Sequence, residues 1–293
     1  MRLYFLMFFC LSIFAANSIF CRGALVFFDM GPLQYTALRS LLAALMLAIL
    51  CLAGVVRGSR PGESAWREAR EQSSWKAAAF LFIYMFTFSL GYVGIPSAAG
   101  TLILNVCVQF SMFGIGVALG TRPCRMQWAG LVISVAGLVA LVSPGLTAPP
   151  ITSSLLMVAS GLAWGAFSVC GRGATNAGAA MAGNFLRCVP MGLACGLLAL
   201  LLESAAGGWA YACVICAGMG ASALGYILWY ALVPKFDLFT VSVVQLAVPA
   251  ITAVLGIIFL GEAVTLRLVI CAVPILGGIF LVLRYGPHGA RKA

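Results

Sequence analysis

The sequence predicts an all-α integral membrane protein of ten transmembrane helices arranged as two inverted five-helix repeats. Three observations carry this. First, 63% of the residues are hydrophobic and 8% charged, with a mean hydropathy of +1.10, which leaves too little polar surface for a water-soluble domain. Second, the apolar residues gather into about ten stretches of the length a bilayer demands, roughly 17 to 25 residues. Third, the chain aligns with itself. FAANSIFCRGA, from Phe14 to Ala24, lies over WGAFSVCGRGA, from Trp164 to Ala174, sharing Ala16/Ala166, Ser18/Ser168, Arg22/Arg172 and Gly23/Gly173. Downstream, Leu38-Arg39 meets Leu186-Arg187, Leu119-Gly120 meets Leu260-Gly261, and Gly137 meets Gly278. The repeats divide the chain at 1–146 and 147–293. An odd number of spans per repeat makes the second copy enter the bilayer from the opposite side.

In chain order the spans read as 3–20, 33–53, 77–94, 98–119, 126–141, 154–170, 179–202, 210–232, 239–260 and 268–283. The first, preceded by Arg2, has the look of a signal peptide. It lacks a small-x-small cleavage site and takes part in the repeat, so it is read as a span. The second and third are separated by the longest polar stretch, 56–76, too short for a domain and amphipathic in tendency. Trp75, Trp128 and Trp209 open the third, fifth and eighth spans, where an indole favours the headgroup region. Small-residue faces at Gly116-x-x-x-Gly120 and Gly161-x-x-x-Gly165 permit close helix approach, within the chain rather than in a dimer.

The formal charge of +10 does not mark a nucleic-acid surface, because it follows topology. Arg57, Arg60, Arg67, Arg70 and Lys76 lie between spans two and three, Arg122 and Arg125 between four and five, Arg172 between six and seven, and Lys235 between eight and nine. The alternate connections hold only Arg22 and Arg267. The positive-inside rule then puts both termini in the cytoplasm, in a bacterial inner membrane. Of the 11 cysteines, Cys213 and Cys216 have metal-knuckle spacing, but they lie in an apolar span without a second pair or a histidine. They read as small packing residues, and neither a metal nor a cofactor is expected.

Taken in order, Phe14-Ala-Ala-Asn17 and Trp164-Gly165 in the first span of each half, Leu38-Arg39 and Leu186-Arg187 in the second, and Pro249 through Leu260-Gly261-Glu262 into Gly277-Gly278 resemble the EamA-type branch of the drug/metabolite transporter superfamily. The resemblance covers essentially the whole chain and is better in its second half. It departs at Gly120-Thr121-Arg122, where the family often has Gly-Glu. It implies a ten-helix carrier, not an enzyme, that exports or exchanges small metabolites, amino acids among them. Its partners are the lipid bilayer and a small substrate, as a monomer or homodimer. It also implies a cavity built by spans one, three, four, six, eight and nine. A multidrug exporter is the alternative, and a non-transporting scaffold or sensor a further one.

Coupling is read from what is missing at membrane depth. Asp29, Glu63, Glu68, Glu71, Glu203, Asp237 and Glu262 all fall in loops or at span ends, and His288 is in the tail. Proton antiport needs a titratable group inside the membrane, so uniport or exchange is expected. Two arginines, Arg39 and Arg187, do lie within spans. Two readings stand for each: snorkelling or bonding to exposed carbonyls, and attraction of a substrate carboxylate or phosphate.

The candidate substrate contacts follow from polar and aromatic residues inside spans. Pro249 lacks an amide proton, so the carbonyl of Gln245 one turn earlier is freed, and a free carbonyl at that depth is tolerated only against protein, water or substrate. Asn105 and Gln109 lie four apart on one face as a polar wall. Trp164, Tyr226, Trp229 and Tyr230 supply apolar walls with a cation–π option, and Asn17 and Tyr84 complete the set. Interhelical hydrogen bonding and plain packing are the competing roles. Glu262 sits at the end of span nine, where the helix dipole disfavours an anion. The short link to Thr265, a helix N-cap residue, places it near the amides of span ten, in a hinge or structural role.

Overall fold

The computed structural model describes residues 2–58, 64–118, 120, 123–143, 148–171, 174–232 and 247–285. Its elements are α1 (Arg2–Arg22), continued by a π-helical turn (Gly23–Phe27), α2 (Pro32–Leu52), α3 (Ala65–Glu71), α4 (Trp75–Gly94), α5 (Ser97–Ala118), α6 (Arg125–Val142), α7 (Ile151–Cys170) and α8 (Ala177–Leu202). A single rod follows, made of α9 (Gly208–Ile215), a π-helical stretch (Cys216–Leu224) and α10 (Gly225–Leu232); α11 (Ala247–Leu260) and α12 (Leu266–Arg284) complete the chain. Seven helical spans, counting α9 to α10 as one, are long and apolar enough to cross a bilayer. Three more apolar helices are shorter: Arg125–Leu141, Ala247–Leu260 and Leu266–Val282. The α-helices begin and end within three residues of the expected spans, the first running on through its π-helical turn to Phe27; the start of span nine lies outside the described residues.

Local chemistry sets the ends. Ser74, Asn176 and Thr265 accept hydrogen bonds from Ala77 N, Ala179 N and Leu268 N, each capping the helix that follows. Pro32 occupies the first turn of α2, where no amide proton is needed. The next two amides of that helix, Leu33 N and Gln34 N, donate to the two carboxylate oxygens of Glu203 at 2.9 and 2.8 Å. The polar stretch between α2 and α4 folds α3, whose Ala65, Glu68 and Ala69 are buried while Trp66 is exposed. Trp75, Trp128 and Trp209 are exposed at their helix starts.

The core is assembled by close crossings. α6 packs along α12, α2 along α8, and α7 between α4 and α5, while α1 packs against α11 and against the rod from α9 to α10. Small residues allow this, as expected where apolar side chains gain nothing by leaving lipid for protein. A methyl at Gly161 would sit 2.5 Å from Leu104 O, and one at Gly165 would sit 2.5 Å from Ser111 Cβ, so this pair seats α7 on α5. A methyl at Gly120 would meet nothing within 4 Å, so the other small-residue face has no such duty there. Gly161→Ala is therefore expected to cost about 1 to 3 kcal/mol by overpacking. Thermal unfolding in detergent tests this against Gly277→Ala, where a methyl meets open space and stability is expected to hold.

Candidate functional site

A cavity of about 60 Å³ lies where six helices converge. Its lining comes from α1 (Phe14, Asn17, Ser18), α4 (Tyr84, Phe88, Tyr92), α5 (Thr101, Leu104, Asn105), α7 (Trp164), the α9–α10 rod (Ala221, Tyr226, Trp229) and α11 (Val248). These are spans one, three, four, six, eight and nine. Phe14 and Trp164, which the internal alignment equates, face each other's half across the same space. The volume suits roughly four water molecules, taking about 15 Å³ for each, so a larger occupant must part the rings.

Spacing explains why these side chains meet. Tyr84, Phe88 and Tyr92 recur every four residues and form one stripe on α4, as Phe14 and Ser18 do on α1 and Thr101 and Asn105 on α5. In the rod, the wider π-helical turn re-registers the faces, so that Ser222 points to α2 while Ala221, Tyr226 and Trp229 line the cavity. The rings are continuous. Trp164 lies 4.8 Å from Tyr84 and 4.9 Å from Tyr226, centroid to centroid, and Phe14 lies 5.8 Å from Tyr226 and 5.5 Å from Trp229. Such offset and edge-on contacts hold aromatic walls in fixed geometry.

The polar groups fall into two layers. Near one end of the cavity, the Tyr92 hydroxyl and Thr101 Oγ1 share a 2.8 Å hydrogen bond, and Thr101 donates to Ser18 Oγ at 3.2 Å. Asn17 is buried and its Oδ1 has no donor among the described residues. Asn105 Nδ2 is held by Thr101 O at 2.8 Å. Gln109, one turn further along α5, does not line the cavity, so the expected pair of amides reduces to Asn105. Tyr230's side chain and all of Gln245 lie outside the described residues, and with Gln245 goes the carbonyl that Pro249 was expected to free. Pro249 itself is buried within α11, at the third of its described residues.

The two in-span arginines part company. Arg187 turns back toward its helix start and donates to Ser73 Oγ, Gly183 O and Arg70 O, a carbonyl-bonding role beside α3. Arg39 is fully buried. Its Nε donates to Ser222 Oγ at 3.0 Å, and its Nη2 to the hydroxyls of Tyr84 at 3.3 Å and Tyr226 at 3.5 Å. Its guanidinium carbon stands 5.0 Å from the Phe88 ring centroid and 5.4 Å from that of Tyr84. No carboxylate pairs with it among the described residues, and Nη1 has no partner there. Snorkelling is thus ruled out for Arg39 by its burial.

Beyond the Tyr92 layer the bundle is latched. α11 ends with Gly261 at φ +61°, a left-handed backbone that glycine adopts without strain, and with the Glu262 amide donating back to Gly256 O at 3.1 Å. The chain reversal carries Glu262 back to the bundle. Its carboxylate accepts from Ser97 N at 2.8 Å and Ser97 Oγ at 2.5 Å, and pairs with Arg22 Nε at 3.0 Å. Arg22 Nη1 donates to Tyr92 O at 2.7 Å and Val93 O at 3.0 Å. The expectation that Glu262 serves the amides of the last helix is corrected: Thr265 caps α12 by itself, and Glu262 serves the start of α5. One carboxylate so joins α1, α4, α5 and α11 over the cavity. Nothing in the sequence marks Ser97 or Arg22 as its partners, which lie 165 and 240 residues away.

The description "EamA-like transporter family" applies to residues 151–284, which match that family's model. An uncharacterized protein of Pseudomonas aeruginosa is 38% identical over 275 residues, covering 92% of this chain and 90% of its own. A solved crystal structure shares the fold at a TM-score of 0.63 and 19% identity, covering 92% of this chain and 94% of that one. With its apolar helices, its buried crossings and these matches in agreement, the chain is an integral membrane protein that belongs to the EamA-like family of drug/metabolite transporters.

Proposed function

We propose that the chain is a ten-span secondary carrier that exports or exchanges small metabolites, amino acids in particular, through the six-helix cavity by alternating access. The observation that carries this is the cavity's make-up: both halves contribute, its aromatic walls are continuous, and its polar groups include an unsatisfied acceptor on Asn17. Inverted five-helix repeats are supported by the packing. Exchange of halves takes α1 to α7, α2 to α8, α4 to the α9–α10 rod, α5 to α11 and α6 to α12. Under that exchange the pairs α2 with α8, α6 with α12 and α5 with α11 map onto themselves. The pair α4 with α7 maps onto α1 with the rod, and α5 with α7 onto α1 with α11. Such symmetry is what lets one half rock against the other about a fixed site.

Orientation follows from the basic connections, which place α3 and both termini on the cytoplasmic side of a bacterial inner membrane. The Glu262 latch then closes the outer side. Among the described residues Glu68 and Glu71 lie on the short α3, Glu203 and Glu262 just past helix ends and Asp29 in the link before α2, and none of them lines the cavity. Exchange without proton coupling is therefore expected. Proteoliposomes loaded with unlabelled amino acids, sugar phosphates or nucleosides, and given the matching labelled compound outside, test the reading. Transient uptake of one class above its equilibrium level, with no ion gradient, is the expected result. Uphill uptake driven by an imposed pH gradient alone contradicts the coupling, and absence of counterflow across the panel from folded protein contradicts the carrier reading.

A further inference from the structure

The cavity has a charge that its lining does not reveal. Arg39 stands directly behind it, on α2, which contributes no lining residue. A guanidinium is a permanent cation, and one taken out of water without a counter-charge is costly. Among the described residues it is met by three neutral oxygens, Ser222 Oγ and the hydroxyls of Tyr84 and Tyr226, and Nη1 has no acceptor. Close packing on the other side is built in. A methyl at Gly218 would lie 3.0 Å from Arg39 O and 3.4 Å from Arg39 Cα, so the rod is pressed against α2 where the guanidinium leaves it. The charged group is therefore held in place and cannot reach headgroups.

Its two tyrosine partners are cavity residues. The Tyr84 oxygen accepts from Arg39 Nη2 at 3.3 Å and from the Tyr226 hydroxyl at 3.4 Å. With its oxygen so engaged, Tyr84 has its own proton left to donate, and hydrogen-bonding to a cation polarises it as a donor. Among the described residues no carboxylate lines the cavity to accept that hydrogen bond. We infer that Arg39, acting through Tyr84 and Tyr226, makes the cavity a site for one carboxylate, so that this carrier selects substrates bearing that anion and rejects isosteric amides and amines. The inference rests on the cavity being the substrate site, and it narrows that site to anion-bearing metabolites. Asn17, which lines the same cavity and whose Oδ1 has no donor among the described residues, suits a donor elsewhere on the same substrate.

The test uses the full chain and two isosteric pairs, propionate with propionamide and 3-phenylpropionate with 3-phenylpropionamide. Binding is read from the fluorescence of Trp164 and Trp229 in detergent, and flux from counterflow in proteoliposomes. The wild type is expected to bind at least one carboxylate about 10- to 100-fold more tightly than its amide, the span of a hydrogen bond to a charged group. Arg39→Gln and Tyr84→Phe are expected to bring the two together, by loss of affinity for the carboxylate only, and Arg39→Lys to keep part of the preference. Tyr84→Phe preserves ring and fold if Arg39→Gln does not assemble. Equal binding of carboxylate and amide by the wild type, binding of neither, or an undiminished preference in both Arg39→Gln and Tyr84→Phe overturns the inference. The two readings separate cleanly: anion-selective binding without counterflow supports the Arg39 site and removes the carrier, whereas counterflow without anion preference does the reverse.

Discussion

Exchange of Glu262 for alanine is expected to open the latched end of the bundle and to cost about 2 to 4 kcal/mol of stability. The carboxylate accepts three hydrogen bonds, from Ser97 N, Ser97 Oγ and Arg22 Nε, and bonds to a charged group are worth roughly 1.5 to 3 kcal/mol each before non-additivity. Only about 15% of the Arg22 side chain and 14% of that of Glu262 are exposed, so solvent replaces little of what is lost. Removal also strands Arg22, which keeps its bonds to Tyr92 O and Val93 O but loses its counter-charge. The comparison is Glu71→Ala. Its ion pair with Arg67 is exposed, at 55% and 74%, and a surface pair of this i, i+4 kind is worth only about 0.3 to 0.5 kcal/mol. Thermal unfolding in detergent should separate the two variants clearly. Equal, small effects would mean that the latch does not hold α5 to α11.

Arg39→Met is expected to make the protein more stable and to end its anion preference. Replacing buried charged groups with apolar side chains of similar volume is often neutral or stabilising, by about 1 to 4 kcal/mol. Methionine follows the path of the arginine stem, and the hydroxyls of Tyr84 and Tyr226 keep each other as partners. A rise of several degrees in melting temperature, with transport lost at normal expression, marks a residue retained at a cost in stability for what it binds. A fall in stability with transport intact would make Arg39 a structural tie between α2, α4 and the rod instead.

These expectations separate what was legible in the sequence from what was not. Span positions were legible because hydrophobic length is a local property: apolar runs had to be helices, and Pro32, Ser74, Asn176 and Thr265 mark helix starts by their own chemistry. Of the aromatic residues singled out in the spans, Tyr84, Trp164, Tyr226 and Trp229 line the cavity. The repeat of four from Tyr84 to Phe88 and Tyr92 was there to be read as one stripe and extends the set. Arg39 and Arg187 show the limit. Both follow a leucine at matching places in the repeat, yet one is walled in by tyrosines and the other lies along α3. The difference is made by partners far away in sequence, Ser222 for one and Ser73 for the other. The π-helical stretch that brings Ser222 to Arg39 has no marker in composition. The same holds for Glu203, whose place at the end of α8 gives no hint that it caps α2.

The measurement that tests the account most directly is to lock the latch and follow transport. Arg22 and Glu262 are replaced by cysteines in a chain from which the exposed Cys124, Cys170 and Cys216 have been removed, and the pair is bridged by a short, reducible bifunctional thiol reagent. Counterflow is then recorded before bridging, after bridging and after reduction. The account predicts transport that stops on bridging and returns on reduction, because α1 and α11 must part for the cavity to open on that side. Undiminished counterflow through a bridged protein would contradict alternating access through this cavity.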